Sequence, residues 1–126
     1  MSERDIRVLV EVVFVPEHSR PGRLVFVYFI TLENHGPERA QLLERHWLIE
    51  EAGGATTEVM GEGVVGQQPI LEPGETFQYN SWTHIAHPPG VMRGWYTFQN
   101  TLGERFKVEI PPFALTLPAG EPRMLN

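Results

Sequence analysis

Apolar residues recur at every second position along most of this chain, and segments rich in proline and glycine separate the runs. In the first run, one face holds Val8, Val10, Val12 and Phe14. A period of two predicts a β-strand with one buried face, whereas an amphipathic helix has a period near 3.6 residues. Turn signals recur roughly every 8–12 residues, which is typical of a β-sandwich or barrel.

Eight segments carry the strand pattern. They are Ile6–Phe14, Leu24–Asn34, Leu42–Glu50, Thr56–Met60, Thr76–Trp82, Val91–Gln99, Arg105–Ile110 and Phe113–Leu115. The second segment is apolar on both faces, so we expect it to be buried in the middle of a sheet. Pro111 and Pro112 are expected to interrupt the last strand, because proline cannot donate to a sheet ladder. A short amphipathic helix is an alternative for residues 38–51.

This pattern predicts an all-β fold, namely a β-sandwich of the immunoglobulin or fibronectin type III kind with two antiparallel sheets and about eight strands. The 126 residues suit one domain with one core. We expect that domain to cover residues 1–117 and to be followed by a flexible C-terminal tail over residues 118–126.

Charge and composition exclude several classes of function. The formal net charge is −6, which disfavours binding to nucleic acid and to an anionic membrane surface. There is no cysteine, so disulfides and thiolate metal sites are excluded. The longest apolar run, Leu24–Ile30, is far shorter than the ~20 residues of a membrane helix. Since no targeting segment precedes it, we expect a cytoplasmic protein without membrane insertion.

Gly61, Gly63 and Gly66 form the spacing G-x-G-x-x-G, which in dinucleotide-binding proteins precedes a helix. Pro69 and Pro73 follow closely, and helix interiors do not tolerate proline. We therefore predict a turn-rich connection between strands. The alternative is that the amides of this loop form a nest for an anion, with Arg45 compensating for the nearby glutamates.

No cofactor and no metal site are predicted. His84 and His87 are the weak candidates for metal ligands, but residues three apart on a strand point to opposite faces. Imidazole suits cobalt, nickel or zinc, whereas magnesium prefers oxygen ligands. The default expectation is that both histidines are exposed in a loop.

The sequence contains no recognisable catalytic set, so we predict that the protein is not an enzyme. Asp5 is the sole aspartate and lies near the start of the chain. No serine occupies a G-x-S-x-G elbow. Ser81, with His84 three residues later, is the candidate pair of nucleophile and base, but a hydroxyl in a strand more often bonds its neighbours.

Four residues are candidates for contact with a protein partner: Arg45, Trp82, His87 and Trp95. Tryptophan and arginine are enriched in binding hot spots. Trp82 and Trp95 flank a proline-rich loop that contains His87, and aromatic side chains beside such a loop suit recognition. We place Trp47 in the core, as is usual for a sandwich.

Several motifs in this order closely resemble the ApaG family over roughly residues 5–116. They are Arg45-His46-Trp47, Gly61–Gly66 with Gln68-Pro69 and Glu72-Pro73-Gly74, Phe77-x-Tyr79-x-Ser81, Gly90-x-Met92-x-Gly94-x-Tyr96, and Phe106-x-Val108-x-Ile110-Pro111-x-Phe113-x-Leu115. The resemblance implies a fibronectin-III-like sandwich. Two features depart from the family pattern: the segment from His84 to Pro89, and Trp95 in place of a small residue.

What the resemblance implies about function is limited. Bacterial ApaG proteins are associated with cobalt resistance and magnesium homeostasis. The same domain is appended to eukaryotic F-box proteins and to a polymerase-delta-interacting protein, where it looks like a protein–protein interaction module. The resemblance therefore implies a non-catalytic domain with an unidentified protein partner and an indirect role in cobalt and magnesium homeostasis; a homodimer is left open. The alternative function is binding of a phosphate-containing ligand or a divalent cation through Gly61–Gly66.

Overall fold

The computed structural model describes residues 5–118, so all of the predicted tail except Pro118 lies outside the described residues. The strands are β1 (Ile6–Phe14), β2 (Leu24–Asn34), β3 (Ala40–Glu51), β4 (Thr56–Glu62), β5 (Ile70–Leu71), β6 (Thr76–Ile85), β7 (Gly90–Asn100) and β8 (Arg105–Leu115). A 3-10 turn covers Pro16–His18. The alternative of a helix within residues 38–51 is wrong, because β3 occupies this segment.

The strands form two antiparallel sheets. The small sheet has the order β1-β2-β6, and the large sheet has the order β4-β3-β7-β8 with β5 attached to β3. This confirms the predicted sandwich of two antiparallel sheets. Strand β2 lies between β1 and β6, as its apolar sequence indicated.

Strand β2 nevertheless has only one fully buried face. Phe26, Ile30 and Leu32 point into the core and are at most 1% exposed, whereas Phe29 on the other face is 44% exposed. The expectation that both faces are buried is therefore wrong at Phe29. The physical reason is that the sandwich has two layers, so nothing in residues 5–118 covers the outer face of the small sheet.

The core is built around Trp47 on β3, which is 2% exposed. Its indole meets the rings of Tyr28, Tyr96 and Phe113 edge-on, at centroid distances of 5.4, 6.3 and 5.9 Å. Such edge-to-face pairs are favourable because the positive edge of one ring faces the negative face of another. The prediction of a core tryptophan is confirmed.

Strand β8 continues through Pro111 and Pro112 to Leu115, so the predicted interruption is wrong. Ile110 pairs with Gly94 and Phe113 pairs with Met92, which leaves one extra residue on β8. This irregularity is a β-bulge on an edge strand. Prolines fit there because a bulge and an outward edge need no N–H donor.

Candidate functional site

The Gly61–Gly66 segment comprises the last two residues of β4 and the tight loop that follows. Gly63, Val65 and Gly66 have positive φ angles of 64°, 43° and 79°. The next element is the strand β5, which confirms the predicted turn-rich connection. Three amides of the loop donate within the protein: Gly63 to the carbonyl of Leu43 at 2.7 Å, Val64 to Gln67 at 2.8 Å, and Gln67 to Val64 at 2.9 Å. These three N–H groups are therefore already used by the fold.

Arg45 lies directly beneath this loop, as the sequence suggested. Its Nη1 donates to the carbonyl oxygens of Glu62 and Gly63 at 3.0 and 2.9 Å. A side chain at Gly61 would place its Cβ 2.9 Å from the same nitrogen, so glycine makes room for the guanidinium. The guanidinium of Arg45 therefore stabilises the loop by donating to two of its carbonyl oxygens. The side chain is half-buried between the two sheets.

A cluster of tyrosines lies between the sheets near Arg45. The hydroxyls of Tyr79 and Tyr96 are 2.6 Å apart. Burial raises the pKa of Tyr96 well above its ordinary value and also raises the pKa of Tyr79. Burial likewise raises the pKa of Tyr28, against the lowering effects of the Ser81 hydrogen bond and the charge of Arg45. These hydroxyls therefore stay protonated near neutral pH.

Ser81 and His84, the candidate serine–histidine pair, lie on opposite faces of the small sheet. Ser81 faces inward, where its hydroxyl bonds with Tyr28. His84 lies three residues later on β6, on the exposed face, with its ring 6.1 Å from that of Trp82. A nucleophile needs its base within hydrogen-bond reach, and this pair does not meet that condition.

His87 lies in the loop between β6 and β7, apart from the strand that carries His84. Its Nδ1 is 3.9 Å from Oε1 of Glu51. The same carboxylate oxygen accepts hydrogen bonds from the amides of Ala86 and His87 at 2.8 and 2.9 Å, which holds the loop against the β3–β4 hairpin. Within residues 5–118, no three histidine or carboxylate side chains are grouped closely enough to hold a metal ion.

Trp95 lies on the outer face of the large sheet and is half-buried. The ring of His46 stacks on it at 4.0 Å, and Nζ of Lys107 is 4.0 Å from the indole centroid. His46 in turn contacts the carboxylate of Glu58 at 2.6 Å. The indole is therefore already packed by its own neighbours in the sheet.

Trp82 lies on the outer face of the small sheet and is 55% exposed. Strand register places it beside Val27, which is beside Val13. Phe29 and Leu9 continue the exposed apolar surface along the same face. We call this set, Leu9, Val13, Val27, Phe29 and Trp82, the outer apolar face.

The outer apolar face has polar groups that could orient a ligand. Glu11 and Asn80 flank Phe29 in the register. The guanidinium of Arg23 is 5.7 Å from the centroid of the Trp82 ring. A recognition surface usually combines apolar side chains, which supply the buried contact area, with a few charged groups between them.

The four predicted partner residues do not share one surface. Trp82 and Trp95 lie on the outer faces of opposite sheets, Arg45 points between the sheets, and His87 is in a loop. The sequence pattern predicted Trp82 as a partner contact, but it did not predict Leu9, Val13 or Phe29. The available signal was the presence of apolar residues on both faces of β1 and β2.

Comparison with known proteins gives consistent results. The ApaG domain family matches residues 16–100. The Protein ApaG of Anaeromyxobacter dehalogenans is 48% identical over 113 residues, covering 90% of this chain and 90% of that protein. A crystal structure from Bordetella pertussis, described as an ApaA protein, has a TM-score of 0.84 at 41% identity and covers 92% of this chain and 98% of the other. Within residues 5–118, no helix has the length and apolar character needed to cross a membrane.

Proposed function

The chain belongs to the ApaG family, and on that premise we propose that it is a non-catalytic module that binds another protein through the outer apolar face. The single observation that carries this proposal is the exposure of large hydrophobic side chains on one face of the small sheet: Val13 is 51% exposed, Leu9 46%, and Phe29 and Trp82 are also about half exposed. A monomeric protein rarely leaves such a patch uncovered without a function.

The free energy gained by burying apolar side chains supports the outer apolar face as the binding surface. Fully burying one large apolar side chain stabilises an interface by about 1.5–3 kcal/mol. Several such residues on three adjacent strands can therefore offset much of the entropy lost on association. The side chains are carried by paired strands, so binding requires no ordering of the backbone beneath them.

The association of the family with cobalt and magnesium fits this proposal only indirectly. We propose that the chain acts on metal homeostasis through its partner in the cytoplasm, since residues 5–118 contain no group of three side chains that could hold a metal ion. Deleting the gene and measuring cellular cobalt and magnesium tests this part: unchanged metal levels would argue against it.

A phosphate-binding or cation-binding role for the Gly61–Gly66 loop is the less favoured proposal. Arg45 is turned toward loop carbonyls, and three amides of the loop already donate within the protein. An amide NMR titration with pyrophosphate, ADP, Mg²⁺ and Co²⁺ tests it. Saturable shifts confined to Gly61, Gly63 and Gly66 would favour the loop over the outer apolar face.

The test of the leading proposal uses a photoactivatable phenylalanine analogue incorporated in cells. We would place it at Phe29, within the outer apolar face, and at Leu102 as the matched control. Leu102 is also apolar and 78% exposed, but it lies in the β7–β8 turn. We expect discrete protein adducts from Phe29 and none from Leu102.

The identified partner is then purified and its affinity measured for the wild type and for Trp82→Ala. We expect a loss of at least about tenfold, because truncation removes a large apolar contact. Trp95→Ala, on the opposite sheet, should change the affinity little. Equal adducts at both positions, or an affinity that does not depend on Trp82, would contradict the proposal.

A further inference from the structure

Strand β6 forms one edge of the small sheet and lacks the usual protection of an edge strand. Its sequence, Thr76 to Ile85, contains no lysine, arginine, aspartate, glutamate or proline. The other long edge strands are β1, β4 and β8, and each carries charged residues; β8 also carries two prolines. The two-residue strand β5 is too short to pair with more than a few residues. Natural proteins place charges and prolines on edges to prevent unwanted strand pairing. An uncharged edge is therefore available for pairing.

The direction of the backbone groups on β6 follows from the bonds at the ends of β2. Val15 donates to the carbonyl of Val25, and His35 donates to that of Asp5, so the odd-numbered residues of β2 bond toward β1. Hydrogen-bonding direction alternates along an antiparallel strand, so the even-numbered residues of β2 bond toward β6. Their partners on β6 are odd-numbered, such as Ile30 with Tyr79.

The N–H and C=O groups of the even-numbered residues of β6 consequently point away from the sheet. These residues are Thr76, Gln78, Asn80, Trp82 and His84. Among residues 5–118, no strand pairs with this side of β6. The free edge thus presents a regular, bulge-free row of backbone donors and acceptors.

The inner face of β4 is uncovered next to this edge. Register places Val59 beside Trp47 and Thr57 beside Ile49. Trp47 and Ile49 are 2% and 5% exposed, yet Val59 is 38% exposed. The large sheet therefore extends beyond the small sheet, and β4 has no described strand opposite it. We call the space bounded by the free edge of β6 and the inner face of β4 the slot.

We propose that this slot accepts an extended segment of a partner protein, which adds to the small sheet as a fourth strand beside β6. The inference rests on the proposed function as a protein-binding module and specifies how the partner is held. Main-chain hydrogen bonds to β6 would provide affinity, and alternate side chains would provide specificity.

The chemistry of the slot defines the segment that fits it. Inward side chains of the added strand would lie over Val59 and beside Tyr79, so β-branched or other apolar residues suit these positions. Outward side chains would lie beside Trp82 and extend the outer apolar face. Because β6 carries no charged side chain that could pair with a charge on the added strand, an extended segment without charged residues suits the slot.

A second copy of this chain does not fit the same slot. An antiparallel β6–β6 pair has a two-fold axis perpendicular to the small sheet. Each β6 would then lie over the β4 strand of the other copy. Both large sheets extend beyond β6 on that side, so they would have to occupy the same space. A single extended segment has no such conflict.

The test uses a displayed library of linear peptides selected on the full-length protein. Peptides that bind are measured against Val59→Glu and against Met60→Glu as the matched control. Val59 faces the slot, whereas its neighbour Met60 faces the opposite side of β4 and is 66% exposed. We expect Val59→Glu to weaken binding at least tenfold and Met60→Glu to change it by less than about twofold, since only the first places a charge against the added strand.

A second pair of variants tests the backbone bonds. Asn80→Pro removes an outward N–H without touching the ladder to β2, whereas Asn80→Ala removes only the side chain. Binding should be lost in the proline variant and kept in the alanine variant, with thermal unfolding confirming that both are folded. Hydrogen exchange should show that bound peptide protects the amides of Gln78, Asn80, Trp82 and His84.

The outcomes separate this inference from the proposed function. Peptides that bind Val59→Glu and Asn80→Pro as well as wild type, or that protect no β6 amide, overturn the strand-addition inference. A selection that yields no binder also overturns it. In each case the proposed function is decided separately, by the adducts from Phe29 and by the effect of Trp82→Ala on the affinity for the partner.

Discussion

The hydroxyl groups of Tyr79 and Tyr96 lie 2.6 Å apart, and their hydrogen bond joins β6 of the small sheet to β7 of the large sheet. The bond satisfies two polar groups that would otherwise be buried without a partner. It also anchors β6, the strand on which the outer apolar face and the slot meet.

We predict that this pair is coupled energetically. Tyr96→Phe leaves the Tyr79 hydroxyl without its partner, which should lower the free energy of unfolding by about 1–3 kcal/mol. The double variant, with phenylalanine at both positions, should cost less than the sum of the two single changes because no buried hydroxyl remains. Denaturant unfolding of the four proteins checks this, and strict additivity would contradict the prediction.

Alkaline pH should destabilise the protein through its tyrosines. The chain has three, and burial raises the pKa of Tyr28, Tyr79 and Tyr96 above the ordinary value of about 10. The folded state therefore keeps protons that the unfolded state releases. This contribution to stability is complete below about pH 10 and is lost as pH rises through the folded-state pKa values.

Tyrosinate absorbance measures this effect directly. In the folded protein the whole tyrosine signal should titrate at higher pH than in the same protein unfolded by denaturant. A folded protein in which one tyrosine titrates near pH 10 would show that its hydroxyl is not buried as described.

Two glycines of the loop should respond differently to alanine. A Cβ at Gly63 would lie 2.3 Å from the carbonyl oxygen of Gln67, whereas a Cβ at Gly66 has nothing within 4 Å. Both have positive φ, so each change costs about 1–2 kcal/mol in backbone strain. Gly63→Ala should cost more than this, because the backbone of the loop must also move.

Thermal or denaturant unfolding of Gly63→Ala and Gly66→Ala measures that difference. It also decides which variant suits ligand studies: Gly66→Ala tests the loop with less disturbance of the fold. Equal destabilisation by the two changes would contradict the steric argument.

Asn34 should be critical for the loops at one end of the sandwich. It is 2% exposed, and its Nδ2 donates to the carbonyls of Glu38 and Leu71 at 2.8 and 2.9 Å. Its Oδ1 accepts from the amide of Gly36 at 2.9 Å. Asn34→Ala removes three hydrogen bonds and leaves buried backbone groups unpaired, so we expect a loss of more than about 2 kcal/mol.

The neighbouring His35→Ala is the control for that change. His35 pairs with Glu33 at 2.8 Å, but its side chain is half exposed. Exposed ion pairs contribute little, so the loss should be below about 1 kcal/mol. Similar unfolding free energies for the two variants would indicate that the Asn34 bonds are not important for stability.

Much of the fold could be predicted from local patterns. The alternation Met92, Gly94, Tyr96 and Phe98 correctly identified the inner face of β7, and Trp47 was correctly placed in the core. The prolines of β8 were misjudged, because the bulge that accommodates them depends on the register with β7. The register depends on how two strands pair, so the sequence of one strand alone does not determine it.

The sequence by itself determined most of the strands and their inner faces, because a period of two and the turn residues act over a few neighbouring positions. Its ordered motifs separately carried the resemblance to one domain family. Only the tertiary structure decided that Trp82 and Trp95 lie on opposite sheets, that Arg45 is turned toward loop carbonyls, and that β6 ends its sheet beside an uncovered β4. Each of these depends on which strands become neighbours and where each sheet stops. Burial and exposure follow from that arrangement of layers, so the surface proposed to bind a partner became visible only in three dimensions.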